Sequence, residues 1–368
     1  MDVVSNELGY SPDISARNIL ARLGISEYLN RPGVTDVMIN RPCEVFIELP
    51  GGVIREENPE LTLDRLMELA NVLAIYNQKY IHDADPMHSV TLPDGERCHI
   101  LLPPSCEEGT VVFAFRKPSR DRFSLQSYID SGRLSRYQDM SESALQAVDV
   151  QEGMFAGRNY QEVAEELCIA QDVRVRDFEL DLLHYKAVGD TWSFFNLAVE
   201  KKLNICMVGG TGSGKTTFSK AIADLIPSNV RIVTLEDTHE LDLPNHPNHV
   251  HLFIKKHVPA QDLIASCMRI KPTRIFLTEL RGGEAWDYLT ALNTGHPGGL
   301  TSVHANDAPS VFHRIADLAK ESGTGKTMDY QYLLNTAKKT IDIVCFFNDT
   351  YMTEFYYDPM EKRRAMRG

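Results

Sequence analysis

The residues with the most specific chemistry in this 368-residue chain are Gly209-Gly210-Thr211-Gly212-Ser213-Gly214-Lys215-Thr216. They match G-x-x-x-x-G-K-[ST], the phosphate-cradling P-loop pattern. Glycines let the backbone curl until its N–H groups point inward at an anion. The N-terminus of the helix that follows adds partial positive charge. In such a loop Lys215 reaches the terminal phosphates of a nucleotide such as ATP, and the Thr216 hydroxyl coordinates Mg2+, with Thr217 next in line. Both flanks agree: Leu203 to Val208 reads as an apolar strand, and a helical pattern starts at Lys215. A glycine-rich turn with a chance Lys-Thr would have no reason to carry either.

A nucleotide-hydrolysing site also needs acids near the metal and the attacking water. Two apolar runs end in carboxylates: Arg231 to Leu235 runs into Glu236 and Asp237, and Arg274 to Thr278 runs into Glu279. Ligands of open parallel sheets collect at the carboxyl ends of the strands, so both acidic ends are expected to converge on the phosphates. His304 closes a third apolar run, Leu300 to Val303, in the same position. The competing readings are structural: solvated strand-end acids, a packed histidine, Arg116 paired with a nearby carboxylate, and Arg269 at a helix end where cations are generically favoured. His249 and His251 alternate and would share one strand face. No cysteine or carboxylate joins them at standard metal-site spacing, so a surface strand is expected there rather than a metal centre.

Three regions must position these groups. Residues 1–118 read as a small α+β domain on an antiparallel sheet. Val34 to Asn40, Glu44 to Leu49 and Gly109 to Arg116 are strand-like, Leu63 to Tyr76 has helical spacing, and Pro93-Asp94-Gly95-Glu96 is a hairpin signal. Residues 119–188 are more polar and read as an extended, partly helical linker, with candidate helices at Ser143 to Val150 and Tyr160 to Ala170. Residues 189–368 alternate apolar strands with helices, which implies a P-loop (RecA-like) α/β core on a mainly parallel sheet buried on both faces. Tyr351 to Tyr357 reads as a final edge strand, and Lys362, Arg363, Arg364 and Arg367 as a solvated basic end that could add a weak contact to an anionic membrane.

The ordered series of the P-loop, Thr234-Leu235-Glu236-Asp237, Thr278-Glu279-Leu280-Arg281-Gly282-Gly283-Glu284-Ala285 and Thr294-Gly295-His296 through His304-Ala305-Asn306 resembles the secretion NTPase superfamily. Within it, the chain is most similar to the traffic ATPases of type IV secretion and conjugation systems. The match is strong over about 203–320 and weaker in the first domain, around Gly33 to Asn40 and from Pro93 to Ser119. The resemblance implies a homo-hexameric ring of two-domain protomers that hydrolyses Mg-ATP to drive pilus biogenesis and substrate transfer. Its partners would be other ATPases and inner-membrane subunits, at the cytoplasmic face of a bacterial inner membrane. By motif position Glu236 would polarise the attacking water, Glu279 would act at Mg2+ and water, and His304 would contact the γ-phosphate region. Arg97 and Arg116 resemble arginines that approach the phosphates from the first domain, and Arg269 and Arg281 are candidates from the core.

Composition narrows the alternatives. A hydrophobic fraction of 43% and a charged fraction of 24% suit a folded globular chain. With 38 basic against 51 acidic residues the net charge is −13, the wrong sign for gripping nucleic acid, so a helicase or specific nucleic-acid reader is disfavoured. No run of about eighteen apolar residues suggests a spanning helix, and the first residues carry no secretory pattern. Seven scattered cysteines form no Cys-x-x-Cys pair, which argues against a zinc module or disulfide framework and favours the cytoplasm. Rival readings are a motor of type IV pili or type II secretion, an ATP-binding docking module with incidental turnover, and a small-molecule P-loop kinase, for which neither acceptor pocket nor lid is evident.

Overall fold

A computed structural model describes residues 12–118, 122–141, 175–255 and 257–367. The candidate helices at 143–150 and 160–170 lie outside these. The chain divides into two compact units, Met1–Arg120 and Asp121–Gly368.

The first unit contains α1 (Pro12–Arg22), α2 (Ile25–Asn30), β1 (Asp36–Ile39), β2 (Glu44–Leu49), β3 (Gly52–Glu57), α3 (Leu63–Tyr76), β4 (Met87–Thr91), β5 (Arg97–Leu101) and β6 (Val112–Arg116). Its six strands form one antiparallel sheet in the order β3-β2-β1-β6-β5-β4. Burial alternates along β1, β5 and β6, the signature of a sheet with one face on a core. Val37, Ile39, Cys98, Ile100, Phe113 and Phe115 share a core with Leu66, Leu69, Ala70 and Leu73 of α3. The other face carries the charged residues, so Arg97 and Arg116 stand opposite one another across β5 and β6.

The second unit contains α4 (Leu125–Asp130), β7 (Gln138–Asp139), α5 (Asp177–Val188), α6 (Thr191–Glu200), β8 (Ile205–Gly209), α7 (Lys215–Ala223), β9 (Ile232–Glu236), β10 (His249–Phe253), α8 (Ala260–Cys267), β11 (Arg274–Leu277), α9 (Glu284–Asn293), β12 (Leu300–Val303), α10 (Ser310–Glu321), α11 (Tyr330–Thr340), β13 (Ile343–Asn348), β14 (Tyr351–Tyr357) and α12 (Pro359–Arg367). The sheet runs β10-β9-β11-β12-β8-β13-β14-β7. All its pairings are parallel except that of β13 with β14. Both faces are covered. Ile205 and Met207 of β8 enter one core with Phe218 and Phe276, while Cys206 and Val208 enter the other with Ile275, Leu277 and Tyr288.

Parts of the polar stretch 119–188 belong to this unit's packing. Leu125, Tyr128, Leu134, Leu182 and Leu183 are buried in its first core. Arg122 clamps Asp224 with bonds of 2.8 and 2.5 Å. Two further expectations are corrected. Tyr351–Tyr357 is not the edge of the sheet, because Gln138 and Asp139 add a short parallel strand outside it. The basic end is not free in solvent either: it forms α12, in which Lys362 pairs with Asp342, and Arg363 meets Glu179 at 2.6 Å. No helix of the described residues is long and apolar enough to cross a membrane.

Candidate active site

The phosphate loop leaves β8 at Gly209 and enters α7 at Lys215. Gly209, Gly212 and Gly214 have φ of 137°, 75° and 92°, a region that side chains resist. Gly209 is doubly constrained, since a Cβ there would lie 2.2 Å from the Phe347 carbonyl oxygen. Ser213 Oγ donates to the Gly210 carbonyl at 2.9 Å and closes the curl. The Lys215 ammonium donates to the carbonyls of Gly209 and Gly210 at 2.7 and 2.6 Å. Burial pushes its pKa down, against the opposing pull of Glu279 and Glu240.

The carboxyl ends of the neighbouring strands face this loop, as parallel topology requires. Glu279 follows β11. His304, half-exposed after β12, places Nε2 3.2 Å from Glu279 Oε1. Arg281 donates to Glu279 Oε2 at 2.8 Å and also binds Asp237. Burial would raise the pKa of Glu279, but the Arg281 bond and the charges of Arg281, His304 and Lys215 prevail and hold it below the ordinary value. Lys215, Glu279, Arg281 and His304 thus form one polar cluster.

Glu236 is placed differently from what its position at the strand end suggests. It is still inside β9 and 0% exposed. Oε2 accepts from the backbone N–H groups of Glu240 and Leu241, both at 2.9 Å. Oε1 accepts from Thr234 Oγ1 at 2.8 Å and meets His251 Nδ1 at 3.1 Å. Burial raises its pKa, yet these bonds more than offset it and the group stays below its ordinary value. A carboxylate so enclosed braces the loop that follows it. Besides Glu279, the acid beside the phosphate loop is Glu240, whose Oε2 accepts from the Thr216 hydroxyl at 3.3 Å. Sequence reasoning missed it because the strand-end rule stops at Glu236 and Asp237, although Thr234-Leu235-Glu236-Asp237-Thr238-His239-Glu240 offers a third acid three residues further on.

Not every candidate arginine joins this cluster. Arg269, just beyond the end of α8, donates to the Ala265 carbonyl at 3.4 Å, and no described contact brings it to the phosphate loop. In the first unit Arg116 Nε donates to Asp36 Oδ1 at 2.8 Å, and Arg97 faces Arg116 across the strands.

Known proteins resemble this chain along most of its length. Residues 166–354 match the family described as Type II/IV secretion system protein. The chain is 35% identical over 351 residues to the type IV secretion system protein VirB11 of Brucella suis, covering 91% of this chain and 89% of that one. It is 36% identical over 354 residues to VirB11 of Bartonella quintana, covering 94% of each. The crystal structure of the Brucella suis VirB11 ATPase in complex with sulphate superposes with a TM-score of 0.51 at 34% identity, over 97% of this chain and 98% of that one.

Proposed function

The chain belongs to the Type II/IV secretion system protein family and is a nucleotide-binding ATPase of type IV secretion, and on that premise we propose that it hydrolyses Mg-ATP with Glu240 as the carboxylate that polarises the attacking water. The observation that carries this assignment is the enclosure of Glu236 against the placement of half-buried Glu240 beside Thr216. The curled glycines and the start of α7 fit a triphosphate, because their N–H groups and helix end supply the donors. Lys215 would leave its loop carbonyls for the β- and γ-phosphates. Thr216 and Glu279 would hold Mg2+, which neutralises charge developing on the leaving phosphate oxygens. Arg281 and His304, now bonded to Glu279, would turn to donate to the γ-phosphate. Arg97 and Arg116, opposite one another in the first unit with Arg116 bound to Asp36, would be further arginines for the same charge. Coupling of turnover to secretion would proceed in a ring of six copies at the cytoplasmic face of the inner membrane, docked on other ATPases and inner-membrane subunits. With a net charge of −13, no direct reading of nucleic acid is part of this scheme.

The two glutamates provide the test. Glu240→Gln should retain nucleotide binding and lower turnover by about 10²–10⁴-fold, the usual contribution of a positioned general base. Glu236→Gln should chiefly lower the melting temperature, since it disturbs a buried, fully bonded carboxylate, and folded protein should keep most of its turnover. Loss of turnover in folded Glu236→Gln, with Glu240→Gln active, would reverse the assignment.

A further inference from the structure

The same enclosure that takes Glu236 away from water places it among imidazoles. His251 lies on β10, in register with Thr234 of β9. His239 lies on the loop between Asp237 and Glu240. Glu236 Oε1 is 3.1 Å from His251 Nδ1 and 3.6 Å from His239 Nδ1. Ligand atoms of Glu236, His239 and His251 all fall within 4.8 Å of one another. The rings of His239 and His251 are 4.4 Å apart, and His249 lies over His251 at 4.7 Å. The spacing of histidines along the sequence offers them no carboxylate; the parallel pairing of β9 and β10 supplies one.

We propose that Glu236, His239 and His251 form a site for an imidazole-preferring divalent cation such as Zn2+, separate from the Mg2+ position at Thr216 and Glu279. Donors bound to a tetrahedral zinc at about 2.0–2.1 Å stand about 3.3–3.4 Å from one another, and the two observed separations bracket that value. Two imidazoles and one carboxylate select zinc or a late transition metal over Mg2+, which prefers oxygen donors. The carboxylate is already oriented, as a good site requires: Glu240 and Leu241 N–H groups hold Oε2, and Thr234 reaches Oε1. His239 is half-exposed, so its imidazole is reachable from solvent. A metal here would tie the 237–240 loop to β10 and so restrain the segment that carries Glu240.

The test is competition between the full chain and a chromophoric chelator for Zn2+ in excess Mg2+, with thermal melting alongside. The wild-type chain should take up one Zn2+, and His239→Asn and His251→Gln should each weaken uptake at least about tenfold, the low end for disturbing a metal site. Zn2+ should raise the melting temperature of the wild type and leave that of His239→Asn unmoved. His239 is 48% exposed at its side chain, so His239→Asn decides the question even if His251→Gln does not fold. Equal uptake by wild type and His239→Asn would assign the metal to other histidines among the 12 in the chain and overturn the proposal. Displacement by Mg2+ would overturn it as well. Because the readout is metal binding, it is independent of which glutamate serves turnover.

Discussion

Strand β5 of the first unit is half-buried, buried, exposed, buried and half-buried along its length, whereas β8 of the second is buried at all five positions. A sheet with one wet face can carry charge anywhere along its strands, and Arg97, His99, Asp36 and Arg116 do so. A sheet covered on both faces confines charge to strand ends or forces it into complete pairing. Glu279 and His304 follow the first course, at the carboxyl ends. Glu236 follows the second, while Arg274 is buried with carbonyl partners only and its Nε unbonded. Arg274, at the start of β11, is 3% exposed, its guanidinium donates to the Val199 carbonyl at 2.5 Å, and burial pulls its pKa down to about 10. A buried sheet therefore gathers chemistry at one edge, and the wet sheet presents a face.

That contrast can be broken by substitution in either unit. Lys215→Ala should have the largest effect: turnover should fall about 10³-fold or more, because its charge is made to act in a dry, preorganised site, with the melting profile little changed. Hydrolysis that survives in the purified variant would remove the second unit's strand ends from the chemistry. Next comes Phe113→Ala, a fully buried ring stacked on Phe115 at 5.6 Å between centroids. It should destabilise the first unit by about 3–5 kcal/mol and leave the second unit's transition in place. A common shift of both transitions in calorimetry would mean that the two cores do not unfold separately. The smallest effect expected is on acidification. Glu236 and Glu279 are held below their ordinary values, so the stability they contribute is present above those values and is lost as pH falls through the depressed ones. The second unit's melting temperature should drop below about pH 4, and Glu236→Gln should flatten that drop; an unchanged acid limb would show that the Glu236 bonds contribute little.

Much of the fold could be read directly from residue types. The strands Glu44–Leu49 and Leu300–Val303, the helix Leu63–Tyr76 and the helix start at Lys215 lie where periodicity and the glycine pattern place them, because each is a local consequence of side-chain alternation or loop chemistry. The convergence of Glu279 and His304 was also legible, since parallel strands point their carboxyl ends the same way. What was not legible involves partners distant in sequence. Nothing local marks Gln138–Asp139 as a strand; it is one only because the flank of β14 is available to pair. Lys362 and Arg363 read as a solvated tail until Asp342 and Glu179 are brought beside them.

The choice between Glu236 and Glu240 marks the boundary most sharply. The order of residue types by itself determined that a phosphate loop exists, that acids follow the neighbouring strands, and that the sheet bearing them is parallel and buried, because glycine torsions, helix ends and apolar periodicity act over a few residues. Only the tertiary structure decided which acid is enclosed. Register against β10 seals Glu236 among Thr234, His251 and two N–H groups and leaves Glu240 at Thr216, and burial of a carboxylate depends on strands and loops that meet in space rather than along the chain.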